Sequence, residues 1–128
     1  MQKYQAMKNV LIIDDNDLVC RLIGKLAKQK NIVILVARNG EDAKKILTGG
    51  KLTLDIIFLD LNLPYINGWD LLAVIKNDPV TKDTPVVIMT GLTLSPEEIE
   101  KLQNKVSAII DKKTFNKEAF AKLLKKLL

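Results

Sequence analysis

Five short aliphatic runs alternate along the chain with five stretches of helical spacing. The runs are residues 10–13 (VLII), 32–36 (IVILV), 54–59 (LDIIFL), 85–89 (PVVIM) and 108–110 (AII). Nearly uninterrupted runs rich in β-branched residues suit strands buried on both faces, as in a parallel sheet. Between them, Leu18, Leu22, Ile23 and Leu26 make one stripe of an amphipathic helix, with Leu18 and Leu22 read as core. Ala43, Ile46 and Leu47 mark a second helix, ended by Gly49-Gly50. Residues 69–75 make a third, stopped before Pro79. Ser95-Pro96-Glu97-Glu98 opens a fourth, with serine as cap, proline in the first turn and glutamate three residues after the cap. Phe120, Leu123, Leu124 and Leu127 line the fifth. No repeat, linker or low-complexity segment interrupts the alternation.

Strict strand–helix alternation predicts an α/β fold: a doubly wound parallel sheet of five strands with helices on both faces, since each parallel connection needs a crossover. In such sheets ligands bind beyond the carboxyl ends of the strands. Asp14 and Asp15 follow the first strand, with Asp17 two places on. Asp60 follows the third strand, Thr90-Gly91 the fourth, and Asp111-Lys112-Lys113 the fifth. With the first, third and fourth strands adjacent, carboxylates, a hydroxyl and a lysine converge on one small volume.

Composition narrows the chemistry. The chain of 128 residues has no histidine, which excludes a phosphohistidine, a histidine ligand and a histidine base within it. Crowded carboxylates resist ionisation unless a cation joins them, and oxygen donors without histidine or cysteine favour Mg2+. An aspartate can act as a nucleophile that forms an acyl phosphate, and lysine and threonine can hold phosphoryl oxygens. Each piece has a bland reading too: an Asp-Asp pair as a helix cap, Asp60 as a turn residue, Thr90-Gly91 as a strand end, Lys112 as a solvated lysine. Their coincidence at four strand ends is what points to phosphoryl chemistry. The net charge of +5 comes from lysines scattered over several helices, including Lys117, Lys122, Lys125 and Lys126, and reads as solvated helix faces rather than a nucleic-acid surface. One cysteine, no signal-like start and no apolar run of membrane-spanning length predict a cytoplasmic chain.

The ordered set of motifs resembles the receiver domain of two-component response regulators, from Asn9 to the last helix, after an N-terminal extension of residues 1–8. It is carried by residues 10–16 (VLIIDDN), 55–64 (DIIFLDLNLP) with Gly68 beyond, 84–91 (TPVVIMTG), 109–112 (IIDK) and 40–43 (GEDA). The resemblance implies a flavodoxin-like (βα)5 fold with strand order 2-1-3-4-5. It implies Asp60 as phosphoacceptor, Asp15 and Asp14 as Mg2+-binding acids, and a backbone carbonyl to the metal from Asn62. Thr90 and Lys112 would contact the phosphoryl group. It further implies a sensor histidine kinase or histidine phosphotransfer protein as donor, docking on the exposed side of the first helix near Asp17 and Arg21. A downstream protein target is expected, with no membrane or direct nucleic-acid partner.

The chain is thus expected to be a stand-alone phosphoacceptor rather than an enzyme, with at most self-directed phosphotransfer and autodephosphorylation. Two positions depart from the family. Lys113 stands where proline usually follows the lysine, often in a cis peptide, and Ile109 where an aromatic switch residue is common. A receiver-like binding module that does not use phosphorylation is one alternative. The other is an aspartate-nucleophile phosphohydrolase, suggested by Asp60-Leu61-Asn62.

Overall fold

A computed structural model describes residues 7–27, 31–50, 52–63 and 66–128. Residues 1–6 of the N-terminal extension, the Leu26 side chain and Pro64 lie outside that set. Strands β1 (Lys8–Ile13), β2 (Ile32–Ala37), β3 (Ile56–Asp60), β4 (Val86–Thr90) and β5 (Ala108–Asp111) form one parallel sheet in the order β2-β1-β3-β4-β5. Helices α1 (Asp17–Ala27), α2 (Gly40–Thr48), α3 (Gly68–Asn77), α4 (Pro96–Gln103) and α5 (Lys117–Leu127) supply the crossovers and end the chain. This is the doubly wound flavodoxin-like fold expected from the alternation.

The two faces of the sheet carry separate cores. Leu11, Ile13, Ile57, Leu59, Val86 and Ile88 pack with residues of α2, α3 and α4 on one side. Val10, Ile12, Ile56, Phe58, Val87 and Met89 pack with residues of α1 and α5 on the other. Every residue of β3 and β4 is buried, so neighbouring positions point into opposite cores and neither face needs polar residues. Phe58 meets Phe120 of α5 with ring centroids 5.3 Å apart.

Asparagine starts most of the helices. Asn39, Asn67 and Asn116 accept the N–H of the residue three places on, at the heads of α2, α3 and α5. Ser95 and Glu98 form a full capping box at α4, as expected from the sequence. Gly50, just beyond α2, takes φ +68, the left-handed conformation a glycine supplies after a helix.

Two expectations are corrected. Leu18 is not core: it is 75% exposed, and among the described side chains of α1 the buried ones are Cys20 and Ile23. The reason is phase. Asn16 sets the first turn of the helix, so at about 100° per residue Leu18 rotates away from the sheet while Leu22 stays at its margin. The second concerns strand ends. Asp60, Thr90 and Asp111 are the last residues of their strands rather than the first residues beyond, while Leu54 precedes β3. Their backbones remain in the ladder, which fixes where their side chains emerge.

Candidate phosphoacceptor site

The same local device recurs at four strand ends. Asp14 Oδ1 accepts the N–H of Asn16 at 2.9 Å, Asp60 Oδ1 that of Asn62 at 2.9 Å, Thr90 Oγ1 that of Leu92 at 3.0 Å, and Asp111 Oδ1 that of Lys113 at 2.8 Å. A short side-chain oxygen that catches the backbone two residues on turns the chain and locks its own rotamer. The turn-residue reading of Asp60 is therefore right as far as it goes. The turn leaves the other carboxylate oxygen free to face its neighbours.

Strand order then brings three of these ends together. Asp14, Asp15 and Asp60 each offer a carboxylate oxygen, and these atoms lie within 4.8 Å of one another. Asp14 is fully buried, Asp60 is 3% exposed, and Asp15 lies at the open side. Lys112 reaches in from β5, its Nζ 2.8 Å from Asp14 Oδ2 and 3.0 Å from Asp60 Oδ2. Lys113 is exposed and takes no part in this pair of contacts. All peptide bonds among the described residues are trans, including the one that joins the two lysines.

Burial raises the pKa of Asp60 above the usual carboxylate range, aided by the Asp14 charge and opposed by the Asn62 N–H and by Lys112. Burial alone would lower the pKa of Lys112, but the two carboxylates more than reverse that. Asp14 Oδ2 is buried and receives no directed hydrogen bond; the ammonium beside it supplies charge rather than an aligned N–H. A buried carboxylate oxygen in that condition, among three carboxylates and no histidine or thiol donor, fits a hard divalent cation.

Close packing of the backbone shapes the floor. Gly68 N donates to Leu61 O at 3.0 Å, drawing the head of α3 against the end of β3. A Cβ at Gly68 would stand 2.4 Å from Leu61 Cα and 2.5 Å from Asp60 O, so only glycine fits. Thr90 is joined to Lys112 through the backbone, Lys112 N donating to Thr90 O at 2.9 Å. Beside Thr90 a cavity of about 390 Å³ opens between Leu92, Leu94, Ile99 and Ile109.

Asn16 is a site residue the sequence reading passed over. It caps α1, with Oδ1 accepting the N–H of Leu18 at 2.9 Å and of Val19 at 3.3 Å, and its own N–H fixes Asp14. The Asp14-Asp15 pair is thereby released from capping. An asparagine directly after the acids was the available signal. Asp17 leaves the cluster altogether and pairs with Arg38 at the end of β2.

The sequence profile described as "Response regulator receiver domain" matches residues 10–125. The chain belongs to that family. Among curated relatives, the polar-differentiation response regulator DivK of Brucella anthropi is 27% identical over 105 residues, covering 82% of this chain and 84% of DivK. The 3',5'-cyclic-nucleotide phosphodiesterase regA of Dictyostelium discoideum is 32% identical over 82 residues; the match takes in 64% of this chain and only 10% of that protein. Among solved structures, the phosphorylated cyanobacterial phytochrome response regulator RcpA superposes with a TM-score of 0.79 at 28% identity, covering 94% of this receiver chain and 91% of RcpA. Receiver domains are phosphoacceptor signalling domains rather than conventional enzymes, and the acidic cluster of this one suits a metal ion. No helix among the described residues is long and apolar enough to cross a membrane.

Proposed function

We propose that Asp60 accepts a phosphoryl group from a phosphohistidine on a separate kinase or phosphotransfer protein. The observation that carries this is the Lys112 ammonium set 3.0 Å from a nearly buried Asp60 whose other oxygen is already fixed by Asn62. A carboxylate oxygen of Asp60 forms the new P–O bond as the donor's P–N bond breaks. The electron pair leaves with the imidazole nitrogen, which takes a proton from solvent. Histidine must come from the partner, because this chain has none.

Lys112 and Thr90 are assigned to the phosphoryl oxygens, the first by charge and the second through its hydroxyl hydrogen. Thr90 Oγ1 now accepts from Leu92 N, so its own proton is available to donate. Asp14, Asp15, Asp60 and the Asn62 carbonyl are the residues we assign to Mg2+, which when bound supplies neutralisation of charge on the transferring group. The exposed side of α1, with Asp17 and Arg21, is the docking surface we favour for the phosphodonor. Output through contact with a downstream protein, self-directed loss of the phosphoryl group to water and a cytoplasmic setting complete the reading.

Incubation with Mg2+ and a small acyl-phosphate donor, followed by intact-mass measurement, tests it. A gain of one phosphoryl group, lost in Asp60→Asn, is expected. No gain beside a control receiver that labels fully would leave a phosphorylation-independent binding module, and turnover of phosphate esters would make the chain a hydrolase.

A further inference from the structure

β2 closes one edge of the sheet, and among the described residues β1 is its only strand neighbour. Lys8 N donates to Asn31 O and Asp14 N to Ala37 O. Peptide groups alternate in direction along a strand, so the odd positions face β1 and those of Ile32, Ile34 and Val36 face outward. The strand reads IVILVA, without the lysine, proline or glycine that would blunt an edge. Val36 is 39% exposed and Leu18 of the overlying helix 75%.

A depression of about 690 Å³ runs along this edge, walled by Arg21, Leu22, Gly24, Lys25 and Ile34. Gly24 widens it, since a Cβ there would meet nothing within 4 Å. The floor is aliphatic, both charged walls are basic, and among the described residues no acid lines it.

We propose that the β2 edge binds an extended segment of a partner protein as a sixth strand. At its positions facing α1, that segment carries an apolar residue between two acids. The apolar side chain covers Leu22 and Ile34, the acids meet Arg21 and Lys25, and the partner's backbone pairs with the outward peptide groups of Ile32, Ile34 and Val36. A second copy of this chain is the poorer occupant. Its own β2 brings no acid, and a two-fold contact sets Arg21 and Lys25 against their own images. This surface lies outside the carboxylate site and needs neither metal nor phosphoryl group.

The test uses the 15N-labelled, unphosphorylated, metal-free chain and the capped peptide Thr-Glu-Thr-Leu-Thr-Glu-Thr. Saturation should slow hydrogen exchange at Ile32, Ile34 and Val36 by about 10-fold or more, as expected when open-edge amides become bonded. The same peptide with lysine for glutamate should give no protection. Arg21→Glu with Lys25→Glu should weaken binding by about 10-fold or more. Val36→Pro, which removes an outward N–H and leaves the bonds to β1 intact, should abolish it. If that variant folds poorly, the charge-reversal pair decides. The proposal is overturned by an absence of protection at millimolar peptide, by affinity indifferent to charge reversal, or by sedimentation showing that the chain pairs with itself through β2. Because the readout needs no phosphorylation, its failure leaves the assignment of Asp60 untouched.

Discussion

The Lys112 ammonium lies 3.0 Å from Asp60 Oδ2 while standing 2.8 Å from Asp14 Oδ2. One cation thus holds two buried acids from neighbouring strands at the place where a divalent ion would bind. The resting site carries its own counter-ion, and this dictates how the domain answers to substitution, metal and pH.

Removing that counter-ion leaves two buried charges without compensation. Lys112→Met should lower stability of the metal-free protein at neutral pH by about 3 kcal/mol, as for a buried pair broken on one side. The loss should shrink on acidification as Asp60, whose pKa burial raises, takes up its proton. Urea melts at pH 7 and pH 4.5 measure both values, and an equal loss at the two would contradict the charge argument.

Asp60 gives the opposite sign. Its pKa is raised in the folded chain by burial, so the folded state holds the proton more tightly than the unfolded state. The associated stability is present below the unfolded pKa and disappears as pH rises through the raised folded value. At neutral pH the ionised group is therefore a net cost. Asp60→Asn should raise the melting temperature of the metal-free protein at pH 7 by about 4 °C, the equivalent of about 1 kcal/mol in a domain of this size. Scanning calorimetry from pH 3 to pH 8 should show the gain fading at the acidic end.

Divalent metal should stabilise the wild-type chain, because it would bind an arrangement of Asp14, Asp15 and Asp60 that the unfolded chain lacks. At a concentration 100 times the dissociation constant the gain is about 2.7 kcal/mol. Thermal melts across a Mg2+ series measure it. In Asp15→Asn the series should flatten, since this change removes an exposed acid without disturbing the buried pair.

Gly68→Ala tests the floor. The added methyl would lie 2.4 Å from Leu61 Cα and 2.5 Å from Asp60 O, both backbone atoms that cannot rotate aside. A destabilisation of about 2–4 kcal/mol is expected, within the range for steric strain at a special backbone position. Acyl-phosphate labelling at a temperature where the variant remains folded should also slow. Denaturant melts and labelling rates together distinguish a displaced floor from simple unfolding.

Much of this was legible in the residue string. The aliphatic runs marked all five strands because the sheet is buried on both faces, and Ser95 through Glu98 spelled out a helix start. The acids, Thr90 and Lys112 stood out because strand ends in a parallel sheet meet. What escaped was phase and partnership. Leu18 looked like core because Leu18, Leu22 and Leu26 are spaced as one stripe, and only the cap at Asn16 shows where the turn begins. Asp17 looked like part of the acidic group because it is near in sequence. Its partner Arg38 is 21 residues away and is met only once β1 and β2 pair. Spacing of hydrophobic residues carries no information on such a meeting.

The backbone bond from Lys112 to Thr90 has a kinetic consequence. Thr90 pairs with Asp111 in the ladder, and Lys112 N then donates to Thr90 O, so the hydroxyl and the ammonium ride on one stiff segment of sheet. Neither can be repositioned by bending its own backbone without breaking that ladder. Thr90 is 3% exposed with its rotamer held by the Leu92 N–H, and Lys112 is held by two carboxylates, so readjustment around an incoming group must first release one of these side-chain bonds. The rate at which the site adapts is thus set by the release of those bonds rather than by any movement of the strands.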